Sequence, residues 1–72
     1  MDTYIVRPRK TRDGFNLESS ALSHGALWYG RQDWAISYAE WNSRAKGCKI
    51  DIANETSTII RTIEFPPGDF AY

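Results

Sequence analysis

The 72 residues include one cysteine, one histidine, one methionine, three prolines and five glycines, and the formal net charge is zero. Each scarcity narrows what the chain can be. Cys48 has no partner for an internal disulfide, so a disulfide-stapled secreted scaffold is not expected, and a reducing, cytoplasmic setting is. Cys48 and His24 fall short of the four nitrogen or sulfur ligands of a structural zinc site, so neither metal nor cofactor is expected. No glycine-rich loop has the spacing that cradles phosphates. No window approaches the ~20 apolar residues of a membrane-spanning helix, and no basic-then-apolar leader is visible near the start. Nine Lys and Arg balance nine Asp and Glu, so the overall field steers neither polyanion nor polycation.

What is present is apolar and aromatic. Hydrophobic residues make up 42% and aromatics 14%, enough for a core and too much for a disordered chain. A chain of this size buries only roughly 60% of the surface its unfolded form exposes. Its core supplies about 3–5 kcal/mol of net stability. One small domain is expected over residues 1–72, with the ordered core near 3–65 and a tail fraying from 66 to 72.

The pattern along the chain changes period once. Thr3–Arg7 is β-branched and aromatic and stops at Pro8. Asp13-Gly14 is a turn signal, and Phe15–Glu18 alternates as a half-buried strand does. These two segments read as a hairpin with a basic tip. A small, polar link over residues 19–25 leads to a short third strand, Ala26–Tyr29, closed by Gly30. From Arg31 to about Lys46 a helical period places Trp34, Ala35, Tyr38, Ala39, Trp41 and Ala45 on one wide side, with Asn42 in its middle. Asp33 suits the first turn, Arg44 and Lys46 suit the last, and Gly47 suits a left-handed cap. Cys48, Ile50 and Ile52 then alternate with Lys49 and Asp51 as a fourth strand. A polar turn over 53–57 and a fifth strand, Thr58–Phe65, follow before Pro66-Pro67-Gly68. The expected fold is a single α+β domain of order β-β-β-α-β-β, a mainly antiparallel five-stranded sheet with one helix on one face.

The segments YIVRP, DGF, AISYAEW and GCKIDIANETSTIIRTIEF together resemble the bacterial domain-of-unknown-function family 2188. The resemblance covers about residues 3–65 and rests on Val6, Pro8, Asp13, Gly14, Phe15, Ala35, Ile36, Ala39 and Gly47. Gly47-Cys48 stands where that outline has two glycines, and Asn54-Glu55-Thr56-Ser57 replaces its Asp-Gly turn. These are turn and packing residues. The resemblance therefore implies the same α+β fold and no activity or site.

Nothing in the chain assembles a catalytic constellation. Cys48 and His24 are the one thiol-and-base pair, without a spaced third group, and Cys48 shares its phase with Ile50 and Ile52 as a buried side chain would. The carboxylates are scattered, and an enzyme is not expected. Asn54-Glu55-Thr56 fits a glycosylation acceptor and reads here as turn chemistry. Two features remain. Trp28, Tyr29, Trp34 and Trp41 are a heavy aromatic load of the kind that anchors interfaces, and one helix leaves a face of the sheet open. The expected role is a non-enzymatic interaction module acting through the aromatic helix flank, where Trp34 and Trp41 stack seven positions apart, or through the open sheet face, with a homodimer or a small protein as partner. The alternative is a nucleic-acid-binding module using Arg7, Arg9, Lys10 and Arg12, four of the nine positive charges on one hairpin.

Overall fold

The computed structural model forms β1 (Asp2–Pro8), β2 (Phe15–Glu18), β3 (Ala26–Tyr29), α1 (Gln32–Asn42), β4 (Cys48–Ala53) and β5 (Ile59–Phe65). It describes residues 1–9, 13–23 and 25–68. The strands lie in one sheet of order β3-β2-β1-β4-β5. Three neighbouring pairs are antiparallel, and the central pair, β1 with β4, is parallel. A parallel pair cannot be closed by a tight turn and needs a crossover. The segment from β3 through α1 to β4 is that crossover, and it lays the helix over one face.

Register decides what the helix meets. Tyr4 pairs with Ile50, and Val6 pairs with both Leu17 and Ile52, so one side of three adjacent strands is continuous and buried. Ala35 and Ala39, one turn apart, press against it. Phe15, Leu27, Tyr29, Ile36, Tyr38, Ile63 and Phe65 complete the layer at its margins. The opposite face is polar: Arg7 pairs with Glu18 at 3.1 Å, and Thr62 Oγ1 donates to Asp51 Oδ1 at 2.8 Å. This is the alternation expected of a sheet with one wet face.

The helix is shorter than its periodicity suggests. It ends at Asn42 rather than near Lys46, so Arg44 and Lys46 lie in the turn beyond it and not in its last turn. The reason is a competing use of its last residues. Ser43 is buried and its hydroxyl donates to Asp2 Oδ2, while Asn42 Nδ2 donates to the Tyr4 hydroxyl at 2.9 Å. Gly47 takes the left-handed conformation expected of it (φ +79°), and its N–H closes a turn on the Ser43 carbonyl at 2.7 Å. The wheel grouped Trp34 and Trp41 with Ala35 and Ala39 on one wide side, and within it the alanines are buried and the two indoles exposed. Ala35 and Ala39 are the residues of α1 fully buried against the sheet, and Ile36 and Tyr38 pack at the margin of that contact.

Beyond β5, in the stretch read as a fraying tail, the Gly68 N–H donates to the Arg44 carbonyl at 2.8 Å; residues 69–72 lie outside the described residues. Among the described residues no helix is long and apolar enough to cross a membrane.

Candidate functional site

The aromatic flank of α1 follows from the packing just described. Because Ala35 and Ala39 face the sheet, Trp34 and Trp41, seven positions apart, project from one flank at 55% and 62% exposure. Each indole carries a guanidinium. Arg31 lies 5.5 Å from the Trp34 ring centre and is itself gripped by Asp33 through two bonds of 3.1 and 3.2 Å. Arg44 stacks 3.8 Å above the Trp41 ring while its Nη1 donates to the Trp41 carbonyl at 2.8 Å. Such contacts hold indole and guanidinium in fixed relative positions despite exposure. Ser37, Glu40, Trp41 and Arg44 line a shallow depression of about 320 Å³ on this flank.

The other two aromatic candidates sit elsewhere. Trp28 projects from the polar face of β3, with Nε1 donating to the Asp13 carbonyl at 3.1 Å. Tyr29 points to the helix side, where its ring is 6.0 Å from that of Tyr38. The four aromatic residues therefore fall in three places, and only Trp34 and Trp41 form a common surface.

Of the basic hairpin, Arg7 and Arg9 are described; Lys10 and Arg12 lie outside the described residues, as does His24. Arg7 reaches across the polar face, its Nε donating to Glu18 and its Nη1 to Ser57 Oγ at 3.1 Å. Ser57 is brought there by a left-handed backbone (φ +65°).

Cys48 is fully buried on the helix side of β4. Burial first, and then the carboxylates of Glu40 and Asp2, push its thiol pKa up, which is the opposite of nucleophile activation. Burial and then Tyr38 push the Tyr29 phenol up as well. Both groups release their protons more readily when unfolded. Stability is therefore full below the unfolded pKa values, roughly 8.5 for a thiol and 10 for a phenol, and declines as pH rises beyond them. Two outcomes are expected: Cys48 resists alkylation by iodoacetamide until denaturant is added, and the melting temperature falls progressively above about pH 9. Rapid alkylation of folded protein, or a melting temperature level to pH 11, would contradict this placement.

One constellation had almost no sequence signal. The Ser43 proton is committed to Asp2, so the Tyr4 hydroxyl must donate to Ser43 Oγ and accept from Asn42 Nδ2. The chain runs in one direction, Asn42 to Tyr4 to Ser43 to Asp2, and ends on a carboxylate. It clamps the end of α1 to the start of β1 and leaves no buried side-chain polar atom unsatisfied among the described residues. Asn42 on the apolar side of the wheel was its only trace. Among the described residues no group of three His, Cys, Asp or Glu side chains is placed to hold a metal ion.

Comparison with known protein families, curated proteins and solved structures gives no match.

Proposed function

We propose that this chain is a non-enzymatic interaction module whose contact surface is the Trp34–Trp41 flank of α1. The observation that carries the reading is the pair of indoles, each more than half exposed and each braced by its own arginine. Tryptophan and arginine are the side chains that most often dominate binding energy at interfaces. Bracing lowers the side-chain entropy that association would otherwise have to overcome. A second copy of the chain is the simplest occupant, because a small domain gains most by covering its spare apolar surface on itself.

Sedimentation equilibrium from micromolar to millimolar protein tests this. The unmodified chain is expected to self-associate, and the double variant Trp34→Ala, Trp41→Ala to remain monomeric with an unchanged circular dichroism spectrum. Both indoles are surface groups, so their removal is expected to cost no more than about 0.5 kcal/mol of stability each. A strict monomer at millimolar concentration, or undiminished association in the double variant, rules out self-association through this flank.

A further inference from the structure

On the polar face of the sheet, the β1–β2 hairpin and the β4–β5 turn leave between them a cleft of about 340 Å³. Arg7, Arg9, Asn16, Asn54, Glu55 and Ser57 line it. Its polar groups are mostly donors. Arg7 spends Nε on Glu18 and Nη1 on Ser57, and Nη2 has no partner among the described residues. The Arg9 guanidinium and the Asn16 carboxamide likewise have none; the Arg9 backbone N–H is fixed on the Gly14 carbonyl at 3.1 Å. Asn54 is the most telling. Its Oδ1 already accepts from Thr56 N at 3.0 Å, Thr56 Oγ1 at 2.8 Å and Thr58 N at 3.0 Å, which leaves only its NH2 group to offer.

We propose that this cleft binds a phosphate group. Three separate segments, the end of β1, β2 and the β4–β5 turn, present N–H donors around one concavity. A tetrahedral oxyanion offers acceptors in several directions at once, whereas a flat carboxylate is saturated by a single guanidinium. Glu18 offsets Arg7, and Glu55 opposes Arg9, so the site depends on geometry more than on net charge and is salt-sensitive. The inference is independent of the aromatic flank, which lies on α1, across the sheet.

The test is an amide NMR titration of the labelled full chain at low salt. Sodium phosphate is added in one arm and a short mixed-sequence single-stranded DNA without terminal phosphates in the other, each matched in ionic strength by sodium chloride. Saturable shifts are expected at Arg7, Arg9, Asn16 and residues 54–57. Arg9→Gln is expected to weaken binding about tenfold, as loss of a charge-assisted donor should. Glu55→Gln is expected to tighten it, and Lys49→Gln, on the same face but outside the cleft, to leave it unchanged. Shifts with phosphate alone assign the site to free phosphate or a phosphomonoester; shifts with DNA assign it to a phosphodiester backbone. No saturable shift in either arm overturns the proposal, as does equal affinity in an Arg9→Gln variant whose remaining spectrum shows it folded.

Discussion

Replacing Ile50 by alanine is expected to leave the protein substantially unfolded at room temperature. Ile50 is fully buried in β4, with Tyr4 beside it on β1 and Ile63 on β5. Both neighbours are tied down. The Tyr4 hydroxyl is held by Ser43 and Asn42, and Ile63 belongs to a strand whose ladder fixes its position. The cavity left by the lost methylene and methyl groups therefore cannot collapse easily, which puts the cost in the upper part of the range of about 2–5 kcal/mol for such truncations. That matches the ~3–5 kcal/mol a domain of this size has in total. Urea unfolding followed by circular dichroism measures it. Ile60→Ala is the control, since Ile60 is 63% exposed on the edge strand and its truncation is expected to cost no more than about 0.5 kcal/mol. A cost below about 1 kcal/mol at Ile50 would mean that the β1–β4 seam is not the centre of the core.

That seam marks the boundary between what sequence pattern reveals and what it hides. Alternation of Cys48, Ile50 and Ile52 announced β4 and its buried side, and Asp13-Gly14 announced the break before β2. Both are local statements, decided by residues within a few positions of each other. The parallel pairing of β1 with β4 joins segments more than forty positions apart, and no local period encodes it. The helix wheel was incomplete for a related reason. Periodicity groups Trp34 and Trp41 with Ala35 and Ala39, but contact distance chooses among them, and the alanines admit the closer approach. The aromatic surface and its place on a helix flank were thus legible in the sequence, while the choice of Ala35 and Ala39 as the residues that meet the sheet was not. The donor-lined cleft is further still from local reading: Asn16 and Asn54 look like ordinary strand and turn residues until the register brings them to one end of the sheet.

Gly47→Ala is expected to be a strongly destabilising single-methyl addition. Three constraints meet at this residue. Its N–H closes the turn after α1 on Ser43, its carbonyl receives the Asp2 N–H at the start of β1, and it lies against the end of β5. A Cβ there would sit 2.8 Å from the Pro67 nitrogen and 2.9 Å from the Phe65 carbonyl oxygen, both backbone atoms that cannot rotate away. The left-handed backbone adds roughly 1–2 kcal/mol for any L side chain, and forced displacement of packed backbone typically costs about 1–3 kcal/mol more. Gly25→Ala separates the two contributions, because Gly25 has nearly the same φ, +78°, with nothing within 4 Å of the added methyl. The expected result is a loss of about 1–2 kcal/mol at Gly25 and of about 2–5 kcal/mol at Gly47, read as the difference between two urea midpoints. Equal losses at the two positions would show that β5 and the Pro66-Pro67 segment yield to the methyl, and that the junction of helix end, β1 and β5 is held less tightly than its three hydrogen-bonded and van der Waals constraints imply.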